Sequence, residues 1–241
     1  MNHSGHEPFD ADIARFGRYQ YTGQDRFSTV RANKRYTEMI LRIAGLKDKR
    51  VVDVGCGDGT YTRLLREEGG ARSVLGIDPS SLAVEAAERF TPGDAAISFR
   101  NAVAADLIRD GLTFDVAVYR GVIHHVSEPA KQLADAVRLA RTVILLEPNG
   151  WNPVLKVLER VSSYHREHGE RSYSLGRYRK WIRAAGGELR FSTYFGLVPH
   201  FAPDWIVRLG SALEPIIESL PGIRAFVCGQ VVMLADGVGE K

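Results

Sequence analysis

The first sustained periodicity along the chain begins at Ser28, where Val30, Met39, Ile40 and Ile43 can line one helix face before Gly45 ends it. An alternation of short apolar runs and helical patterns follows. Arg50–Val54, Ser73–Asp78, Ala96–Asn101, Phe114–Tyr119 and Thr142–Glu147 read as strands. Thr60–Glu68, Leu82–Phe90 and Glu128–Ala140 read as helices among them. Near-continuous apolar strands alternating with helices of this length predict βαβ units and a parallel sheet covered on both faces. Residues 1–27 look irregular, with scattered aromatics at Phe9, Phe16, Tyr19, Tyr21 and Phe27, and residues 149–190 mix aromatics with basic groups. Two more apolar strands are expected at Glu188–Val198 and Ala225–Ala235, separated by an amphipathic stretch, Asp204–Leu220, punctuated by Pro203, Pro215 and Pro221.

Composition narrows this picture only modestly. The 241 residues suffice for one domain with embellishments, and 25% charged with 44% hydrophobic is ordinary for a globular protein. A net charge of +3 is too small to argue for nucleic acid or a membrane surface. Two cysteines, Cys56 and Cys228, fit a reducing, cytoplasmic setting rather than a disulfide framework. The start of the chain does not read as a signal peptide. The longest uncharged run, Phe191 to Pro203, has 13 residues and includes polar ones, so no membrane span is expected.

The strongest chemical signal is Val51-Val52-Asp53-Val54-Gly55-Cys56-Gly57-Asp58-Gly59-Thr60. A buried strand runs into glycines at alternate positions, and a helix follows. Glycine lets the backbone turn with positive φ and lets a ligand approach the main chain, and the helix N-terminus offers free N–H groups. The spacing is G-x-G-x-G, so the third glycine of a dinucleotide fingerprint is missing. Asp53, two residues before Gly55, is poorly placed for a phosphate and well placed for the ammonium of an amino-acid moiety. Asp78 ends the next strand in Gly-Ile-Asp-Pro, 25 residues after Asp53. A carboxylate there can accept both hydroxyls of a ribose, or can cap the helix starting near Ser80. Cys56 reads as a small side chain that fits the turn, and Cys228 as core.

These motifs resemble those of the class I S-adenosyl-L-methionine (SAM)-dependent methyltransferases. V-D-V-G-C-G-D-G-T and G-I-D-P match the first two family motifs. Phe114–Val118 is similar to the fourth strand, Val122-Ile123-His124-His125-Val126-Ser127-Glu128-Pro129 to the histidine motif after it, and Leu146-Glu147-Pro148-Asn149 to the end of the fifth. The resemblance is strong over residues 28–150. It implies an α/β fold: a doubly wound, Rossmann-like sheet of seven or so strands, mostly parallel with an antiparallel last strand, helices on both faces and a lid. The expected organisation is one domain over 1–241, with a SAM-binding core at 28–150, a lid from 1–27 and 150–180, and an apolar insertion at 196–222. Carried across, the family pattern places Gly55 and Gly57 under the cofactor, Asp53 at its amino-acid end, Asp78 on the ribose, and Asn101 and Ala102 beside the adenine. Arg120 stands where relatives carry a small or apolar residue, with its backbone expected to line the site. Among subgroups the sequence looks nearest to the quinone-biosynthesis O-methyltransferases, in which an Arg about twenty residues before the first glycine reaches the cofactor carboxylate; Arg35 lies at that distance. The metal-binding Glu-x-x-Glu-His cluster of that subgroup corresponds to Gly121, His124 and His125 here, so no metal is expected.

Methyl transfer needs proximity and alignment, and a hydroxyl acceptor also needs a base. Histidine suits that task at neutral pH. His125 is the best-placed base and His124 the next, since the loop after the fourth strand lies at the carboxyl edge of the sheet. His200 and the Tyr164–His168 cluster, with His165 and His168, are further candidates, the latter equally readable as a solvated helix face. Between Glu159 and Arg190 eight Lys/Arg outnumber four Asp/Glu, which suits an anionic substrate or plain solvation. The apolar stretch at 196–222 suits a hydrophobic pocket or a homodimer interface ahead of peripheral membrane contact. The expectation is a methyltransferase acting on a small, hydrophobic molecule, with O-methylation first and C-methylation of an isoprenoid or enol-like carbon next, and no nucleic-acid partner. An NAD(P)-dependent oxidoreductase and a non-catalytic SAM-binding protein are the rivals.

Overall fold

The computed structural model describes residues 10, 13, 22, 26–91, 93–162, 171–200 and 202–239. Phe9, Phe16, Tyr19, Tyr21, His165 and His168 lie outside the described residues. Seven strands form one sheet: β1 Arg50–Val54, β2 Ser73–Asp78, β3 Ile97–Asn101, β4 Phe114–Arg120, β5 Ala140–Pro148, β6 Glu188–Phe195 and β7 Gln230–Asp236. Their order is β3-β2-β1-β4-β5-β7-β6. Strands β1 to β5 run parallel, and β7 pairs antiparallel with both β5 and β6. The doubly wound α/β fold is therefore the one the sequence implied.

Strand alternation divides the core into two layers. Val52, Val54, Ala117, Tyr119, Val143 and Leu145 face one hydrophobic cluster, while Val51, Val116, Val118, Ile144 and Leu146 face the other. Nine helices or helical turns cover the faces among the described residues. They are α1 Phe27–Ala44, α2 Thr60–Glu67, α3 Ser81–Phe90, α4 Ala104–Arg109, α5 Pro129–Leu139, α6 Pro153–Val161, α7 Leu175–Ala184, α8 Asp204–Ser219 and α9 Pro221–Val227. Gly45, at φ 55°, ends α1 in the left-handed conformation that lacks a Cβ penalty. Ser80 caps α3 by accepting from the Ala83 N–H at 3.1 Å. The chain winds from β1 outward to β3, then restarts at β4 on the other side of β1. That switch point opens a crevice at the carboxyl ends of the strands, where ligands of such folds bind.

The structure departs from the sequence reading in the C-terminal third. Residues 225–229 are not strand: α9 occupies Pro221–Val227 and β7 starts at Gln230. Pro221 sits at the first helical position, where its missing N–H costs nothing. The stretch Asp204–Leu220 does form a helix, α8, with Pro215 inside it. Helices α4, α6 and α7 had no counterpart in the hydrophobic pattern. Within α7, Tyr178 and Ile182 are buried in the main core. Among the described residues no helix is long and apolar enough to cross a membrane.

Candidate active site

The glycine loop is built as its sequence requires. Gly55, Gly57 and Gly59 have φ of 73°, 57° and 74°, a region that strains any residue with a Cβ. A Cβ on Gly55 would lie 2.7 Å from Val122 Cγ2, so the loop packs tightly against the segment after β4. The Gly55 and Cys56 N–H groups donate to the Ile77 carbonyl at 2.8 and 3.0 Å. The Gly57 N–H donates to Asp78 Oδ2 at 3.0 Å, and Ser80 N–H to Asp78 Oδ1 at 2.9 Å. Both oxygens of the Asp78 carboxylate are thus oriented by backbone at the edge of the loop. Asn101 and Ala102 converge on the same point: Asn101 Nδ2 and the Ala102 N–H both donate to the Asp78 carbonyl, at 2.9 and 3.1 Å. The structure therefore brings Gly55, Gly57, Asp78, Asn101 and Ala102 together.

Asp53 is buried beneath the loop and accepts from Thr62 Oγ1 at 2.6 Å. Burial pushes its pKa up to about 6, opposed by the Thr62 hydroxyl and by the charge of Arg120. Arg120, the last residue of β4, lies with its guanidinium 3.4 Å from the centre of the Tyr61 ring. It donates to Thr37 Oγ1 at 2.8 Å and to the carbonyl and side-chain oxygens of Asn33 at 3.2 and 3.1 Å. Arg35, the residue aligned with a cofactor anchor, is engaged elsewhere. Its guanidinium pairs with Glu214 and, at 2.9 Å, with Glu218 on α8. The resemblance implied Arg35 at the cofactor, with a solvated helix face as the alternative; on α1 the Asn33 and Thr37 side chains meet Arg120, while Arg35 faces α8.

The histidine pair has a partner that sequence reasoning assigned no role. Glu147, fully buried near the end of β5, binds the loop after β4 through four contacts. Its Oε1 accepts from the Val122 and Ile123 N–H groups at 3.0 and 2.8 Å, and Oε2 from the His124 N–H at 3.2 Å. Oε2 also lies 2.8 Å from His124 Nδ1. Burial raises the Glu147 pKa to about 7, with the Ile123 and Val122 N–H groups and the charge of His125 opposing the rise. The His124 and His125 rings lie against each other at 3.8 Å between centroids, tilted by 41°, and His125 is the more open of the two. Once Glu147 is ionised it accepts the Nδ1 proton and leaves Nε2 of His124 as an acceptor. The only sequence signal was a lone acid closing an apolar strand, 23 residues from its histidine.

His200 lies near Arg120, its ring 5.4 Å from that of Tyr36. Burial, helped by Arg120, drives its pKa down to about 4, so it is neutral at physiological pH. Cys56 and Cys228 are buried free thiols, and burial raises both pKa values. Among the described residues no cluster of three or more His, Cys, Asp and Glu side chains could hold a metal ion. Three described residues of the N-terminal segment rest on the site's rim. Thr22 Oγ1 donates to Asp58 at 2.6 Å, Asp10 accepts from Ser80 Oγ, and Ile13 is buried against Ala83 and Ala86.

Comparison with known proteins bears on the fold and the domain. Residues 52–144 match the methyltransferase domain family. A tRNA U34 carboxymethyltransferase of Shewanella halifaxensis is 31% identical over 138 residues, 54% of this chain and 41% of the relative. A ubiquinone biosynthesis O-methyltransferase of Paraburkholderia phymatum is 31% identical over 123 residues, half of each chain. The chain thus spans about half the length of the curated relatives it matches. Magnesium protoporphyrin IX methyltransferase from Synechocystis PCC 6803, solved with bound S-adenosylhomocysteine (SAH), superposes with a TM-score of 0.63 at 16% identity, covering 98% of this chain and 95% of that one.

Proposed function

We propose that the chain is a class I SAM-dependent methyltransferase, a reading that the match of residues 52–144 to the methyltransferase domain family supports, and that it O-methylates a small, hydrophobic hydroxyl compound with His125 as the base. Its cofactor is S-adenosylmethionine. The paired loop and acids fit that group: three glycines at positive φ that let the loop backbone meet a ligand, a fixed carboxylate at Asp78 for the ribose hydroxyls, and Asn101 with Ala102 at the adenine edge. The bound cofactor supplies an electrophilic methyl carbon whose leaving group departs without a proton.

The chain's own residues do the rest. Glu147 fixes the loop 122–124 and holds His124 by Nδ1; the His124 ring, tilted against His125, in turn positions it. His125 then takes the acceptor's hydroxyl proton as the oxygen attacks the methyl carbon. The observation that carries this reading is the Glu147–His124–His125 array at the carboxyl edge of the sheet. The lid expected from 1–27 and 150–180 rests on its described residues alone, because 1–9, 11–12, 14–21, 23–25 and 163–170 lie outside them. Support comes from the Thr22–Asp58 bond on one side and, on the other, from the Arg171 N–H donating to the His124 carbonyl at 3.0 Å. Lid closure excludes water from the transfer. Buried, unpaired cysteines fit a cytoplasmic setting.

The test is turnover of labelled SAM on a panel of phenols by the native chain and His125→Ala. The variant is expected to lose about 10²–10⁴ in kcat while keeping its SAH affinity. Near-native turnover in both His125→Ala and His124→Ala would remove the base and favour C-methylation. A polyanionic acceptor is the second reading. It draws on the basic face of α7, where Arg179, Lys180 and Arg183 line one shallow groove, and on the tRNA-modifying relatives. Salt-sensitive retention of tRNA on a filter would favour it.

A further inference from the structure

Arg120 is the charged group of the site whose surroundings are least complete. Its hydrogen bonds go to a hydroxyl and to the two oxygens of one asparagine, all neutral. Three of its five N–H groups are used in this way. Tyr61 and Tyr36 present ring faces at 3.4 and 5.7 Å. Among the described residues Arg120 forms no ion pair, and the nearest acid that its charge influences is Asp53. Arg120 is half-buried, and a partly buried charge without a counter-charge forfeits hydration without full recompense. A guanidinium enclosed by neutral oxygens and aromatic faces is the arrangement of a receptor whose counter-charge arrives with a ligand.

Position narrows which ligand. Arg120 follows Tyr119, which pairs in register with Val54, the residue before Gly55. Tyr61 is the second residue of α2, which follows directly on the glycine loop. Arg120 therefore stands on the face of the sheet that Asp53 shares, one strand further from Asp78 than Asp53 is, a cation and a carboxylate side by side. Such a pair suits a zwitterion. Arg35 cannot serve as that cation without giving up Glu214 and Glu218. Its pairing with them outweighs burial and raises its pKa, so the clasp and the charge hold each other.

We propose that Arg120, in place of Arg35, receives the α-carboxylate of the cofactor's amino-acid end, with Asp53 on the ammonium side of the same zwitterion. Tyr61 holds the guanidinium flat by stacking, and Asn33 and Thr37 fix its rotation from α1. The role of anion anchor has moved from the helix before β1 to the strand that follows α4. The aligned arginine has been released to tie α1 to α8.

Calorimetry with two probes tests this: SAH, which carries the amino-acid end, and 5′-methylthioadenosine, which lacks it. Arg120→Met is expected to weaken SAH by 30-fold or more and to leave methylthioadenosine within about threefold. Arg120→Lys should recover part of the SAH loss, since the charge remains and the fork does not. Arg35→Met should leave both probes nearly unchanged. Equal weakening of both probes by Arg120→Met, or none, overturns the proposal, as does a selective SAH loss in Arg35→Met. Unchanged SAH binding with loss of an aromatic carboxylate such as 4-hydroxybenzoate would also overturn it, by showing that the anion belongs to the acceptor. A native chain that binds neither nucleoside would fail earlier, at the cofactor itself. Melting curves of the Lys and Met variants show whether a loss is one of folding.

Discussion

Glu147 at the end of β5 and Glu214 in the middle of α8 are both fully buried, yet they live in opposite charge regimes. Burial disfavours the ionised form of each. At Glu147 the answer comes from three backbone N–H groups and one imidazole, and its pKa still settles near 7. At Glu214 the answer comes from formal cations. Burial there is outweighed by the Arg31 hydrogen bond, the Arg35 charge and the Leu197 N–H, and the pKa falls below its ordinary value. Dipoles compensate a buried carboxylate in part, whereas two guanidinium groups do so completely. The difference follows function and architecture. Glu147 sits on β5 against the proposed catalytic loop, where a group that ionises near neutrality can set the histidine tautomer. Glu214 fastens a helix that buries little else: only Val207 and Glu214 of α8 are buried, against four alanine and valine residues of the shorter α3.

Removing each carboxylate gives the largest expected effect. Glu214→Ala leaves Arg31 without its acid, Arg35 with Glu218 alone, and the Leu197 N–H without its acceptor. Loss of a buried ion-pair partner costs about 3–5 kcal/mol. Glu147→Ala strands the N–H groups of Val122, Ile123 and His124 and is expected to cost about 2–4 kcal/mol, less because no formal charge is left behind. Urea unfolding measures both. A Glu147→Ala variant clearly more damaged than Glu214→Ala would mean that the loop, not the clasp, is where the fold concentrates its stability.

The pH dependence sharpens the same contrast. A Glu147 pKa of about 7, against an ordinary 4.5, means that the folded chain binds this proton more tightly than the unfolded one. Its contribution to stability is present below pH 4.5 and is lost as pH rises to about 7. Asp53, raised from 3.8 to about 6, acts in the same direction over an overlapping window. Glu214 has the opposite sign: its depressed pKa stabilises above the ordinary value and the effect disappears as pH falls through the folded one. Glu147→Gln should therefore flatten the decline in melting temperature between pH 4.5 and 7. Glu214→Gln should instead flatten the loss on acidification. Superimposable pH profiles for the two variants would refute the assignment of opposite regimes.

These two acids also mark where sequence reading succeeds and where it stops. The glycine loop was legible because its chemistry is local: alternate glycines, an acid in the preceding strand, and Asp78 one βα unit later. The strands from β1 to β5 were legible because burial on both faces leaves near-continuous apolar runs. Glu147 and His124 meet only because β4 and β5 are neighbours in the sheet, a contact with no periodic signature. Arg35 fell at a familiar spacing, but the spacing carries no information about Glu214 and Glu218, 179 and 183 residues further on. Helix α9 read as strand because Ala225-Phe226-Val227-Cys228 joins an apolar run with β7, and only Pro221 hinted otherwise. In α6, Val154, Val157, Leu158 and Val161 are exposed. A helix whose apolar side does not meet the core is hard to place from a pattern that assumes it does.

That exposure leads to the smallest expected effect. Leu209 and Val207 are two residues apart on α8, yet Leu209 is 58% exposed and Val207 is fully buried. Truncating Val207 to Ala removes packed methyl groups and should cost about 1–3 kcal/mol. Leu209→Gln touches nothing buried and should stay within about 0.5 kcal/mol of the native chain. If α8 is held chiefly by Arg31, Arg35 and the Gly196 and Leu197 N–H groups, its outer face is free to change without loosening the helix. Urea unfolding of both variants at two protein concentrations decides the matter. A Leu209→Gln cost above about 1.5 kcal/mol that grows with protein concentration would show that the outer face is covered by a second copy of the chain, since only an association term depends on concentration. A large cost independent of concentration would instead mean that apolar packing holds α8 after all, and would remove the contrast between a helix fastened by ion pairs and helices fastened by burial.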